Sequence, residues 1–113
     1  MSELVDILLR YGADVSGTMN RFMNDEELYA TCLESFLVDP AFEELEAAVA
    51  RGDYAQAFDY AHTLKGVAGN MGLTPVYEAL TAVVEKLRNH DYGDIDNSIS
   101  EVSKEFSRLK KLF

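Results

Sequence analysis

The sequence predicts an all-α protein, an up-down antiparallel four-helix bundle with an N-terminal helical extension. Apolar residues recur at helical spacing along most of the chain, and most glycines and prolines fall where such a pattern begins or ends. No segment alternates apolar and polar residues between hairpin turns, so we expect essentially no sheet. The 113 residues are the size of one domain, with residues 1–23 as the extension and residues 24–113 as the bundle.

The extension and the helix that follows it are predicted from local signals. The segment SELVDILLRY is typical of an amphipathic helix that ends before Gly12, whereas residues 12–23 are weakly patterned and predict a turn or a broken helix. Asn24, with Glu27 at the third helical position, forms a capping box that begins a stronger helix. Its expected core residues are Leu28, Cys32, Leu33 and Phe36.

The next two predicted helices are a helix that begins near Asp39 and the central helix. Asp39 is the expected N-cap of a helix with Pro40 at its first position, and Gly52 ends that helix. Asp53 is the expected N-cap of a central helix that runs to about Met71. The expected core residues of these two helices are Phe42, Leu45, Val49, Tyr54, Ala57, Phe58, Ala61, Leu64 and Ala68.

Two further helices complete the predicted bundle. Thr74 is the expected N-cap of a helix with Pro75 at its first position, and NHDYGD is the loop that follows. The last helix carries apolar residues at alternating steps of four and three, which is typical of a helix packed lengthwise in a bundle. The short connections predict antiparallel neighbours. The expected core residues are Val76, Ala79, Leu80, Val83, Leu87, Ile95, Ile99, Val102, Phe106, Leu109 and Phe113.

Charge and composition exclude several classes of function. The net charge of −10 argues against nucleic-acid binding, and residues 1–64 alone hold 13 acidic residues and 3 arginines. No apolar run approaches the ~20 residues of a membrane span, and the N-terminus has no secretory signal pattern. The lone Cys32 cannot form an internal disulfide. These observations predict a cytoplasmic protein that does not bind a membrane.

One face of the central helix does not fit a purely structural reading. His62, Lys65, Gly66 and Gly69 lie at positions i, i+3, i+4 and i+7, which places them on one face, here called the His62 strip. A glycine inside a helix costs ~1 kcal/mol relative to alanine. Either another helix or a foreign partner approaches the glycines closely, and their spacing alone does not separate the two explanations.

The composition of the His62 strip favours phosphoryl chemistry. Imidazole is a nucleophile near neutral pH and forms a labile P–N bond, which suits a temporary carrier. An ammonium one turn away can bind the phosphoryl oxygens, and a glycine at i+4 leaves the ring uncovered. His62 is therefore expected to be at least partly exposed, whereas His90 lies in a polar loop and is assigned no role.

The segment AHTLKGVAGNMGL resembles the signature of histidine-containing phosphotransfer (HPt) domains, H-x-x-K-G with a further glycine six residues later. The resemblance covers residues 20–112 and implies a helical phosphorelay carrier without kinase activity. It implies that His62 is the phosphoacceptor, that Lys65 stabilises the phosphoryl group and that Gly66 keeps the approach clear. The implied partners are response-regulator receiver domains, which would carry the Mg²⁺, and a hybrid sensor histidine kinase; the chain itself would need no cofactor and no metal.

The resemblance also suggests secondary site residues and contains one departure. Gly69, Asn70 and Gly72 are candidates for docking or for supporting the site. Members often place a polar side chain on the following helix near the histidine, whereas this sequence has Val84 there. Arg88, one turn later, is a candidate replacement.

Other functions fit the sequence less well. A helical module that docks receiver domains without being phosphorylated is the main alternative. An acyl carrier needs an Asp-Ser dipeptide at a helix start, and this chain has only DVS at residues 14–16. A metal site built from His62, His90 and Cys32 would have no recognised ligand spacing.

Overall fold

The computed structural model describes residues 2–113, and these residues form helices without any β-strand. The all-α prediction is therefore confirmed for the described part of the chain. Its helices are α1 (Glu3–Tyr11), α2 (Val15–Arg21), α3 (Glu26–Leu37), α4 (Ala41–Ala50), α5 (Tyr54–Asn70), α6 (Thr74–Arg88) and α7 (Ile95–Lys111). None of the helices within residues 2–113 combines the length and apolar character that crossing a bilayer requires.

Of the four N-caps predicted after residue 23, Asp53 is confirmed, and the other three lie one residue away from the N-cap in the structure. Asn24 has a φ of 60°, so Asp25 is the N-cap of α3, and its carboxylate accepts a hydrogen bond from the Leu28 N–H at 3.0 Å. Pro40, not Asp39, occupies the N-cap position of α4, and Asp39 instead accepts from the Ala41 N–H at 2.8 Å. Thr74 is the first residue of α6 rather than its N-cap.

The central helix α5 lies between α4 and α6, and α6 also packs along α7. Contacts between α4 and α7 close this arrangement around one core. Phe36 of α3 stacks on Phe106 of α7 with centroids 5.0 Å apart, which joins α3 to the same core. The helices thus pack against α5 on several sides and leave one of its faces toward solvent.

Several predicted core positions are wrong in detail. Leu28 is 44% exposed, and the fully buried Tyr29 takes its place, with its ring edge against Phe22 and its hydroxyl donating to the Met71 carbonyl at 2.9 Å. Phe113 is 49% exposed because α7 ends at Lys111. The remaining differences are positions that are half-buried instead of buried: Cys32, Phe42, Tyr54, Phe58 and Ala79.

The N-terminal helices complete the turn between α5 and α6. The Tyr11 hydroxyl accepts a hydrogen bond from the Val76 N–H, in the first turn of α6, at 3.1 Å. The N-cap residue of α6 makes no side-chain hydrogen bond to this turn, so Tyr11 supplies the acceptor instead. The Asp14 N–H donates to the Gly72 carbonyl at 2.9 Å, and Arg21 Nε donates to the Asn70 carbonyl at 2.9 Å. Helix ends leave such backbone groups without partners. Residues before position 24 therefore stabilise the corner that follows the His62 strip.

Candidate functional site

Helix α5 presents the His62 strip to solvent and its neighbouring face to the core. Ala61 and Leu64 are 0% and 1% exposed, whereas His62 is exposed and Lys65 is half-buried. This orientation starts at Asp53, whose carboxylate accepts from the Gln56 N–H at 3.1 Å and fixes the first turn of α5. The expected exposure of the imidazole at position 62 is confirmed.

The imidazole of His62 is oriented by an aromatic neighbour. Its ring stacks on Phe58, one turn earlier on α5, with centroids 5.7 Å apart and planes 20° apart. Within residues 2–113 neither ring nitrogen takes part in a hydrogen bond, so both are open to a reactant from solvent. The sequence predicted Phe58 as a core residue and gave it no part in the site.

A shallow cavity of about 450 Å³ lies on one side of His62 and is here called the cationic cavity. Its lining residues are Arg21, His62, Lys65, Gly66, Gly69, Asn70 and Tyr77. The Lys65 ammonium lies 5.9 Å from the centroid of the Tyr77 ring. Two cations and no carboxylate line this cavity within the described residues, although the chain contains 20 acidic residues.

A second cavity, of about 520 Å³, lies on the other side of the imidazole and is here called the apolar cavity. Its lining residues are Phe22, Cys32, His62, Thr63, Gly66, Val67, Asn70 and Met71. His62 therefore stands between a charged surface and an apolar one.

The glycines near His62 have different environments. A Cβ added at Gly66 would meet no heavy atom within 4 Å, so this position is open to solvent. A Cβ added at Gly69 would lie 2.9 Å from Cε1 of Tyr77, so Gly69 allows close packing of α6. Gly72 has a φ of +67°, and a Cβ there would lie 2.6 Å from the Asp14 carbonyl oxygen. Internal packing therefore explains Gly69, whereas the space at Gly66 is open and leaves the approach of a partner there as a prediction.

The remaining candidates differ in whether they line the two cavities beside His62. Asn70 lines both cavities. Arg88 does not line either cavity; it pairs with Glu85, and its guanidinium lies 5.7 Å from the centroid of the Phe58 ring. Val84 is fully buried and offers no polar group to the site. Arg88 thus reaches the imidazole only through the Phe58 ring.

Arg21 is the charged site residue that sequence reasoning missed. It belongs to α2, in the segment assigned to the extension, yet it lines the cationic cavity together with His62 and Lys65. The sequence feature that could have drawn attention to it is its charge, since Arg21 is one of only 3 arginines, with no lysine, among residues 1–64.

The structure does not assemble a metal site from the histidines and the cysteine. Nδ1 of His90 lies 2.7 Å from the Tyr92 hydroxyl in the loop before α7, and Cys32 lines the apolar cavity with His62. Within residues 2–113 no group of three or more potential ligands is arranged to hold a metal ion.

Comparison with known proteins identifies the family. The model of the Hpt domain family matches residues 27–111, most of the chain and all of α5, α6 and α7. The chain belongs to the Hpt domain family. Members are phosphotransfer modules of two-component phosphorelays that generally lack kinase activity and interact with receiver domains and kinases. This Hpt domain has no significant match among curated proteins or solved structures, and its Arg21 precedes the matched region.

Proposed function

We propose that this Hpt domain accepts a phosphoryl group on His62 from a receiver-domain aspartate and passes it to the aspartate of another receiver. The observation that carries the proposal is the exposed imidazole between Lys65 and the open position at Gly66. A sensor histidine kinase of the hybrid type, which carries its own receiver, is the expected source of the phosphoryl group. The expected location is the cytoplasm, where such receivers act.

Each transfer is a displacement at phosphorus. The lone pair of one His62 ring nitrogen attacks the phosphorus of an aspartyl phosphate, while the other nitrogen keeps its proton. The P–N bond forms as the P–O bond breaks, and the aspartate leaves as a carboxylate. The second transfer reverses these steps on another aspartate. Such transfers depend on positioning and charge stabilisation, which the Phe58 stack and the Lys65 ammonium are suited to supply.

The two cavities beside the imidazole suit different roles, one in binding the phosphoryl group and the other in contacting the receiver. Lys65 faces the cationic cavity, where an ammonium can neutralise phosphoryl oxygens during transfer. The apolar cavity is lined by Phe22, Val67 and Met71, of which Val67, at 37% exposure, is accessible to an apolar surface of the receiver. Because Gly66 lines both cavities and carries no side chain, the receiver can close over the ring. The Mg²⁺ for the reaction is expected on the receiver, not on this chain.

The proposal includes a topology. We assign α4, α5, α6 and α7 as the members of an up-down antiparallel four-helix bundle, supported by the sequential packing of these helices and the contacts between α4 and α7. Residues 1–23 are the extension of this single domain and residues 24–113 contain the bundle. In this arrangement the extension borders the reactive face of α5.

The test is chemical. We expect the protein, incubated with a receiver domain and a small phosphodonor such as acetyl phosphate, to gain a phosphate that is labile to acid and stable to base. His62→Gln should abolish this label without changing the helical content. The matched control is His90→Gln, which removes the other histidine and should label like the wild type.

The same experiment distinguishes a phosphocarrier from the alternative, a docking module that is not phosphorylated. A protein that binds the receiver but never gains the label would be a docking module that is not phosphorylated. A label that persists in His62→Gln would show that the assigned phosphoacceptor is wrong.

A further inference from the structure

The cationic cavity contains a residue from outside the region that defines the family. Arg21 ends α2, lies before the matched residues 27–111 and lines the same cavity as His62 and Lys65. Its presence there depends on the tertiary packing of the N-terminal helices against the turn between α5 and α6.

The guanidinium of Arg21 is fixed by hydrogen bonds to neutral groups. Nε donates to the Asn70 carbonyl at 2.9 Å, and Nη2 donates to the Thr18 hydroxyl at 3.1 Å and to the Gly69 carbonyl at 3.4 Å. Within residues 2–113, Arg21 forms no ion pair, although a Cβ on Gly17 would lie 3.1 Å from Asp14 Oδ2 and 3.7 Å from Arg21 Nη1. The hydrogen bonds restrict the guanidinium and leave Nη1 available, which lowers the entropic cost of binding an anion.

The position of Arg21 also changes the electrostatics of the end of α5. The last carbonyls of a helix carry partial negative charge, equivalent to roughly half an elementary charge, and they disfavour anions nearby. Arg21 binds the carbonyls of Gly69 and Asn70, two of these groups. It thereby offsets the partial negative charge of these carbonyls, in a chain of net charge −10.

Distance assigns Arg21 a role in docking rather than in the chemical step. Asn70 follows His62 by eight residues, about 12 Å along the helix axis, and helical side chains lean toward the N-terminus. A phosphoryl group on His62 is therefore beyond the contact range of Arg21. A docked domain that covers about 800 Å² of this surface does reach it.

We propose that Arg21 binds a carboxylate of the receiver domain that docks over His62. This inference rests on the proposed function, because it takes the receiver domain as the molecule that covers the His62 face. A guanidinium pairs most strongly with a carboxylate, and the distance from His62 means that this carboxylate is not the reacting aspartate of the receiver. Arg21 and Lys65 give that face a positive charge where the rest of the chain is acidic.

The experiment measures transfer between the wild-type Hpt domain or its variants and one phosphorylated receiver domain, as a function of receiver concentration. We expect Arg21→Gln to raise the KM about 3–10-fold at low salt, with the rate constant at saturation unchanged. The effect should shrink between about 50 mM and about 500 mM salt. Arg21→Lys, which keeps the charge, should stay within about twofold of the wild type.

Arg10→Gln is the matched control. Arg10 is exposed on α1, does not line the cationic cavity and, like Arg21, donates through Nε to a carbonyl, that of Asp6. The variant changes the net charge equally and should leave the KM within about twofold of the wild type. Unfolding of each variant by denaturant shows whether the fold is retained.

Two results would overturn the inference. One is an Arg21→Gln KM equal to that of Arg10→Gln. The other is a loss of transfer that is independent of salt and follows the loss of stability, which would assign Arg21 a structural role. Either result can occur while His62 still gains its acid-labile phosphate, so it would leave the proposed function intact.

Discussion

The rings of Phe58 and His62 stack on one face of α5, with centroids 5.7 Å apart and planes 20° apart. Phe58 also lies under the guanidinium of Arg88, at 5.7 Å from the ring centroid. The imidazole is thus exposed to solvent and yet supported from below by a half-buried aromatic side chain. We expect this stack to limit the orientations of the exposed ring.

Replacing Phe58 tests this support. In Phe58→Leu an apolar side chain remains, but the aromatic stack, worth about 0.5–1.5 kcal/mol, is lost. We expect the rate constant for transfer at saturating receiver to fall by about 2–10-fold while the KM changes little. Stopped-flow or quench measurements with a labelled receiver provide both quantities. An unchanged rate constant would show that the Phe58 ring does not orient His62.

Lys65 is expected to act on the chemical step. Its ammonium lies in the cationic cavity and within residues 2–113 forms no ion pair. We expect Lys65→Gln to lower the rate constant at saturation by about tenfold, since a charge-assisted hydrogen bond is worth about 1.5–3 kcal/mol. Lys104→Gln, on the exposed surface of α7, is the charge-matched control. Equal rates for the two variants would exclude this role for Lys65.

Gly66 should show opposite effects on stability and on transfer. An added Cβ meets no atom within 4 Å, so Gly66→Ala should raise the free energy of unfolding by about 0.5–1 kcal/mol through helix propensity alone. The same methyl, and more strongly the side chain in Gly66→Leu, should slow transfer by obstructing the receiver. Denaturant unfolding and transfer assays on the same samples test both effects. Unimpaired transfer by Gly66→Leu would contradict the assignment.

Gly69→Ala is the counterpart at a packed position. Its Cβ would lie 2.9 Å from the Tyr77 ring, so we expect a net loss of stability of about 1–2 kcal/mol despite the better helix propensity of alanine. Tyr77→Leu should reduce that loss when the two substitutions are combined. A double-mutant cycle of unfolding free energies measures the coupling. Additive effects would show that the Tyr77 ring is not the reason why residue 69 must be small.

The sequence was sufficient for those parts of the site that depend on local structure. Capping at Asp53 and the helical period fix which face of α5 carries His62 and Lys65, so their common face follows from spacing. The environments of Gly66 and Gly69 could not be distinguished in this way, because they depend on where Tyr77 of α6 packs.

Arg21 could not be assigned to the site for a related reason. Its contacts with Gly69 and Asn70 join residues 48 and 49 positions apart, and no local pattern encodes such a pairing. The exchange of Leu28 for Tyr29 in the core has the same origin. Tyr29 is selected by its hydrogen bond to Met71 and by the Phe22 ring, both of which are tertiary contacts.

The buried Tyr11 predicts a loss of stability at high pH. Burial, the largest effect, raises the pKa of the Tyr11 hydroxyl from 10.0 to about 12. The unfolded chain therefore loses this proton at a lower pH than the folded protein does. The stability is fully present below pH 10 and declines between pH 10 and about 12, by about 2–3 kcal/mol for this group. Burial raises the pKa of Tyr29 in the same direction, so both tyrosines contribute to the decline.

The Tyr11→Phe variant separates the contribution of Tyr11 to the loss of stability at high pH from that of Tyr29. The variant should be less stable at neutral pH by about 1–3 kcal/mol, because the Val76 N–H loses its acceptor in a buried position. Between pH 10 and about 12, however, its free energy of unfolding should fall less steeply than that of the wild type, because only Tyr29 then titrates abnormally. Urea unfolding across this range measures both. Identical slopes would mean that Tyr11 ionises equally readily in the folded and unfolded chain, and that the hydroxyl is not sealed beneath the turn between α5 and α6.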